Sequence, residues 1–503
     1  MSLIVLFAIV YRHFSIVFLA EHFFFPCYIK YVTLSVRIYC FIFYNTFSSR
    51  FRKVLIFLAN DFSQGKVWRN IIAQAVPLTM AQLVQLTYNM VDRIYLGHIE
   101  GIGSMALTGI GLTFPVITVI TAFALCFGGG GTPIFSIARG AQEEDKARNV
   151  MGNSFFLLLS SSVILFALCM LCKRPLLFLF GASEASYIYA NAYLRIYLLG
   201  TLFSMVTLGM NGYINAQGFP RVGMGTTVIG AVLNMILDPI FIFLFHMGVA
   251  GAALATVLSQ AVSFLWVMRF LTGKKALLRL EVSRMKPIPS IIRRIITLGT
   301  PLFIMQATNG LVQIACTKTL HTFGGDLYVG VMTILNSVRE LLSLPINGLS
   351  NGALPVLGYN YGARKYDRVR QGIRFQTLLG SGYTAAAWVF VLLAARPLVS
   401  LFTSDAEMIT AAVPALHLYF FGFVFMALQF AGQISFQSLG CAKRAIFFSI
   451  FRKVIIVVPL TLLLPAMGYG VNGVFMAEPI SNLIGGTACF LTMYFSLYRK
   501  LGK

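Results

Sequence analysis

The chain has 503 residues, of which 58% are hydrophobic and 11% charged, with a mean hydropathy of +0.81. Soluble domains carry about 25% charged residues, so this composition excludes one and points to an all-α polytopic protein whose first partner is the lipid bilayer. The net charge of +23 would suit nucleic acid, but the basic residues sit in short loops between apolar runs, where the inner membrane face accounts for them better and no nucleic-acid partner is expected.

Residues 1 to about 57 are apolar and crowded with Phe and Tyr, yet broken by Arg12, Glu21, Lys30 and Arg37. Two weak spans, about 3–20 and 23–47, can be drawn through them, and their layout does not fit a signal peptide. Asn60 to Trp68 reads as a polar lead into a helix, so 1–58 is expected to be an upstream extension or a misassigned start.

Twelve apolar segments follow, roughly 71–97, 104–138, 150–172, 186–216, 223–246, 248–272, 295–320, 327–361, 375–395, 409–438, 445–465 and 472–497. The second and eighth exceed bilayer thickness and should tilt or project. Loops after even-numbered segments hold twenty Lys and Arg, counting Arg452 and Lys453 just inside the eleventh. Loops after odd-numbered segments hold three, Lys173, Arg174 and Arg396. The even loops and both basic ends of the core are therefore expected on the cytoplasmic face of the plasma (inner) membrane.

Sliding the chain against itself gives a repeat near 222 residues: Pro133 falls on Pro355, Gly140-Ala141 on Gly362-Ala363, Arg148 on Arg370, Gly218 on Gly440, Gly248 on Gly470 and Gly251 on Gly473. Six segments separate the copies, so both enter the membrane in the same sense, as in transporters whose cavity lies between two bundles. The expected organisation is a six-helix bundle at 59–272, a cytoplasmic linker at 273–294 and a second bundle at 295–503.

Within the fifth segment, Asn234 and Asp238 share one helix face just before Pro239. A carboxylate inside a span is costly and tends to face a bundle interior or a water-filled cavity; a structural, hydrogen-bonded acid is the plainer alternative. Pro239 frees a carbonyl one turn earlier and invites a kink. In the first segment Gln82, Gln85, Asn89 and Asp92 form a polar stripe. At an offset of about 224 the seventh segment shows Gln306, Asn309, Gln313 and Cys316, while Asn234 and Asp238 fall on Ile456 and Leu460. The amides persist in the second half and the acids do not, although amides also serve as helix–helix glue.

Asn211 with Asn215, and Thr256 with Gln260, share helix faces where packing and capping compete with function. Glu340 beside Arg339 either pairs with a neighbour or takes part in coupling, and Glu478 precedes Pro479 in the last segment. Six histidines are scattered without ligand spacing, and Cys169-x-x-Cys172 has no second pair or nearby histidine. With no phosphate loop, nucleophile elbow or zinc signature, neither enzymatic activity nor a bound metal or cofactor is expected.

Tyr88-Asn89-Met90-Val91-Asp92 with Gly97, Gly140-Ala141, Asn234-x-x-x-Asp238-Pro239, Gly251-Ala252-Ala253-Leu254-Ala255-Thr256 and Gly358-Tyr359-Asn360-Tyr361-Gly362-Ala363 together resemble the multidrug and toxic compound extrusion (MATE) transporters. The resemblance runs from about Asp61 to the C-terminus and is nearest to bacterial drug-efflux members of the proton-coupled branch. It implies a monomer of two bundles around an alternately opening cavity, exporting cationic, amphipathic drugs in exchange for protons or sodium. It assigns ion coupling to Asp92, Asn234, Asp238 and Thr256. Gln82, Gln85, Tyr88, Asn89, Asn211, Asn215, Gln260, Gln306, Asn309, Gln313 and Glu340, read from the sequence itself, are expected along the substrate cavity. Sodium-coupled relatives of another branch use acids of the C-terminal bundle; here the seventh helix has none, which leaves Glu340 as the substitute.

Two carboxylates in one low-dielectric space cannot both stay charged cheaply, which suits them to bind a proton for which a cationic drug competes. The rivals are a lipid or lipid-linked-sugar flippase, which calls for a strongly basic cavity, and a membrane-embedded enzyme, which calls for clustered catalytic side chains. Basic residues are expected at the ends of the core helices only.

Overall fold

The computed structural model describes residues 59–99 and 103–502, so the expected extension at 1–58 lies outside the described residues. Every described element is helical, the arrangement in which a lipid-exposed segment can satisfy its own backbone.

Helix α1 is Val67–Gly97. Helix α2 covers Met105–Gly140 with a π-turn at Leu125–Gly129, and α3 is Glu144–Leu179. Helix α4 is a bent pair, Glu184–Leu199 and Thr201–Ala216, turning by 57°. Helix α5 is Pro220–Pro239, prolonged by a π-turn at Ile240–Leu244, and α6 is Gly248–Thr272. A 74-residue helical rod, Pro289–Gly362, is broken at Gly325, whose φ of 67° and ψ of −166° suit glycine alone. The break yields α7 (289–324) and α8 (326–362). Helix α9 is Tyr366–Ser400, and α10 is a second bent pair, Ala406–Phe420 and Phe423–Ser438, turning by 43°. Helices α11 (442–467) and α12 (470–496) are separated by Gly468 and Tyr469, and Gly468 and Gly470 are both at positive φ.

All twelve expected segments are thus helices. The two bends, at Gly200 and at Gly422, stand about 222 residues apart, so the repeat extends to helix shape. The helix runs through Pro239 without the expected kink, and the irregularity lies after it, in the π-turn at Ile240–Leu244. Before α1, Asn70 Nδ2 ties down the carbonyls of Asp61 and Gln64, while Arg368 holds the carbonyls of Phe62, Gln64 and Gly65. That double anchoring explains why the polar lead-in is ordered.

The apolar core has two parts. One gathers residues between Leu96 and Leu298 together with Ala442; the other gathers residues between Cys316 and Leu501 together with Phe62, Val67, Ile71 and Ala75. The first turns of α1 therefore pack with the C-terminal half, and its last turns with the N-terminal half. Between the halves runs a seam where backbone touches backbone. A Cβ on Gly140 would lie 1.9 Å from the Tyr359 carbonyl oxygen, and one on Gly362 would lie 2.0 Å from that of Ile137. These two contacts are repeat-equivalent, so the seam is reciprocal about the pseudo-twofold axis. Gly299 sits as tightly on the Cys126 carbonyl, a Cβ on Gly348 would meet the Thr79 hydroxyl at 1.9 Å, and one on Gly352 would meet the Ala75 backbone nitrogen less tightly at 2.6 Å. Gly140 to Gly130 and Gly362 to Gly348 are ten to fourteen residues of helix, roughly 15–20 Å. The seam thus occupies the basic-loop end. Farther along, Gln85, Asn309 and Gln313 are exposed.

Candidate ion-coupling site in the N-terminal half

Asn234 and Asp238 lie on the inner face of α5 and are 2% and 0% exposed. Asn234 Nδ2 donates to Asp238 Oδ1 at 3.2 Å and to Thr256 Oγ1, on α6, at 3.3 Å. The Thr256 hydroxyl donates to the Ala252 carbonyl at 3.0 Å, which leaves its oxygen free to accept from Asn234. From α1, the half-buried Asp92 brings its carboxyl within hydrogen-bonding reach of Asp238. The structure thus places all four residues assigned to coupling in one constellation built by α1, α5 and α6.

As bare carboxylates the acids are poorly served. Asp92 Oδ1, Asp238 Oδ2 and Asn234 Oδ1 are buried without a hydrogen-bond partner. An unmatched buried carboxylate oxygen is expensive, and one proton between Asp92 and Asp238 supplies the missing donor. Arg93, the adjacent cation, is exposed and lies over the Phe114 ring at 5.7 Å.

The residues expected along the cavity separate into groups. Tyr88 lies near the acids, and Gln85 Nε2 reaches Asn89 Oδ1 at 3.4 Å on the same α1 face, with Gln82 half-buried above. Gln260 bonds Tyr197. Asn211 donates to the Gly223 carbonyl at 3.2 Å and accepts from Thr226, and Asn215 crowds Gly223. Thr226 is eight residues, or about 12 Å of helix, from Asn234, so these two asparagines brace α4 on α5 away from the acids. In the second half Gln306 is half-buried, while Asn309 and Gln313 line a separate cavity. Glu340 is exposed, and Arg339 pairs with Glu478 at 3.0 Å. Cys169 and Cys172 are both free thiols.

Two tyrosines escaped the sequence reading. Tyr193 shares a hydrogen bond with Thr256, Tyr197 with Gln260, and their rings stack at 5.9 Å. Their four-residue spacing inside an apolar span was the available signal. One expectation needs correction. Arg452 and Lys453, counted with a basic loop, are interior: Lys453 is 4% exposed and both bond Glu478. Basic side chains are therefore not confined to helix ends, because α11 begins at Ala442 and carries both past its first turns. The loop count falls to eighteen against three, and the orientation it implies is unchanged.

Repeat-related helical halves, meeting at a seam and holding a facing pair of acids in one of them, define a two-bundle membrane transporter. The MatE family model matches residues 77–240 and 301–463, once in each half, and the chain belongs to this family, the MATE transporters. Among curated proteins, the multidrug export protein MepA of Staphylococcus haemolyticus (strain JCSC1435) is 26% identical over 88% of this chain and 96% of its own length. The MepA of Staphylococcus aureus (strain MSSA476) is 23% identical over 86% and 95%. Among solved structures, one described as the outward-facing conformation of a multidrug resistance MATE family transporter of the MOP superfamily aligns with a TM-score of 0.82 at 25% identity, covering 87% of this chain and 97% of that one. A MOP superfamily transporter from Pyrococcus furiosus, described as having a binding pocket of reverse polarity, aligns with a TM-score of 0.81 at 26% identity, covering 87% and 98%.

Proposed function

We propose that this chain is a proton-coupled multidrug exporter that works as a monomer in the plasma membrane, with the basic-loop end and both core ends cytoplasmic. The proximity of Asp92 and Asp238, with buried oxygens that lack a donor, carries this reading. A proton entering from outside removes one of the two negative charges of the pair; a cationic drug is drawn to the same charge. Proton and drug then favour opposite states of the seam, and that difference is what exchange across alternating states requires. The names of the MepA relatives support drugs as the cargo.

The test is efflux from proteoliposomes. A cationic dye should be expelled when an inward proton gradient is imposed and should follow its size, with sodium gradients inert. Sodium coupling is the second reading, favoured by the oxygen set of Asp92, Asn234 and Asp238; efflux that needs sodium and ignores pH would establish it in place of the first. Transport of lipid instead of dye would favour a flippase.

The asymmetry between halves makes a further expectation. Hydrogen exchange compared at low and neutral pH should change mainly in 71–97 and 223–246, around Asp92 and Asp238. Equal or larger changes in 295–320 and 445–465 would show that the N-terminal acids do not govern the switch.

A further inference from the structure

The C-terminal half contains a cavity of about 160 Å3, lined by Gln313, Cys316, Arg339, Lys453, Thr461 and Glu478 among others. It occupies the place that the repeat pairs with the acid site: Cys316 corresponds to Asp92 at an offset of about 224, and Glu478 to Thr256 at about 222. The charge is inverted between them. In the first half two carboxyls approach each other. In the second, Glu478 Oε1 accepts from Arg339 Nη1 at 3.0 Å, Arg452 Nη1 at 3.1 Å and Lys453 Nζ at 3.3 Å. Arg452 also holds Asn482 at 2.7 Å, and the Tyr419 ring faces Arg339 at 5.9 Å. Glu340 adjoins Arg339 in sequence but is exposed.

One buried carboxylate against three cations leaves a formal excess of positive charge in the cluster, of which Arg339 and Lys453 line the cavity while Arg452 stands behind it; the exposed Glu340 offsets part of that excess through its charge on Arg339. If the cluster served only to hold α8, α11 and α12 together, one cation for one acid would suffice, and each further buried charge would be a cost without return. The excess is placed to be used. Arg339 is 33% exposed in its side chain while Lys453 is 5%, so of the two cations that line the cavity Arg339 is the more accessible and Lys453 the more deeply buried. One guanidinium nitrogen holds Glu478; the rest of its five-donor fork remains to meet a ligand.

We propose that this cavity is an anion site that takes a carboxylate, gripped by the Arg339 fork and backed by Lys453. Its volume equals about five waters at ~30 Å3 each, well below the roughly 300–1,000 Å3 of a pocket for a whole drug. The cavity therefore suits a carboxylate end group or a small free anion. This inference goes beyond the proton-coupling reading and does not rest on it.

The test is equilibrium binding of radiolabelled benzoate to the purified full chain in detergent, with no ion gradient, and with benzylammonium as the cation control. Benzoate should bind saturably at one site per chain. Arg339→Gln should weaken it by at least about tenfold, and Arg339→Lys, which keeps the charge and loses the fork, by a smaller factor of roughly three or more. Chloride titrated into a low-salt buffer separates the sources: displacement of benzoate assigns the site to free inorganic anions as well, and persistence assigns it to carboxylates. If Arg339→Gln does not elute as a folded monomer in gel filtration, Arg339→Lys carries the comparison. Absence of benzoate binding to the folded native chain, or equal affinity in the native chain and the folded Arg339 variants, would overturn the proposal.

Discussion

Asp238→Asn is expected to abolish drug export, and Asp92→Asn to do the same, with membrane expression near the native level. The carboxamide keeps the volume of the side chain but cannot gain or lose the proton. It also carries a permanent N–H that can satisfy the partner carboxyl, so the variant resembles the proton-loaded state and no longer cycles. Asp238 is 0% exposed, with Oδ2 unpartnered; replacing such a buried charge by a neutral group is often neutral or stabilising. Folding therefore should not be what fails. Resistance conferred on a pump-deficient host should fall to that of the empty vector, and initial efflux rates by at least about tenfold, which corresponds to about 1.4 kcal/mol of barrier. Native-level resistance in either variant would remove that residue from the coupling group.

The seam yields the second large effect. Gly140→Leu or Gly362→Leu must drive a side chain into a carbonyl on the opposing helix, since even a Cβ would stand 1.9 Å from the Tyr359 oxygen or 2.0 Å from the Ile137 oxygen. Neither contact can be relieved by turning a flexible side chain, because the obstacle is backbone. The basic-loop end should then fail to close, so the cycle stalls and efflux falls by at least about tenfold. Cys126 reports the opening directly. It is 6% exposed and its carbonyl lies under Gly299 in the seam; maleimide labelling mapped to Cys126 should be slow in the native chain and fast in the variants. Gly310→Ala is the control, since nothing lies within 4 Å of its added Cβ. Full transport by Gly140→Leu with Cys126 still protected would show that this contact is dispensable for closure.

The two effects draw on different parts of the molecule, and they differ in how far the sequence anticipates them. Twelve helices, their repeat, and the acids of one half were legible because each rests on local chemistry. A bilayer-length apolar run must be helical to satisfy its backbone. A repeat survives as glycines and prolines at matched positions, and a carboxylate in such a run stands out by its cost. Even the glycines of the seam, Gly140 and Gly362, were visible as repeat-matched residues, though not what they touch.

Tertiary structure alone decided which side chains meet. That Asp92 faces Asp238, that Tyr193 reaches Thr256, and that Asn211 and Asn215 turn instead toward Gly223 depend on how α1, α4, α5 and α6 cross. Helical periodicity assigns a residue to a face but not that face to a neighbour. The same gap explains Arg452 and Lys453. By charge and position they read as loop residues, yet Glu478, on another helix, draws both into the interior. The sequence by itself determined the spans, the symmetry and the asymmetric acids, because hydropathy and cost are properties of single residues and short windows. The packing of distant helices determined the facing pair of acids, the glycine seam and the charged cavity, because each exists only where segments far apart in the chain come within a few ångströms.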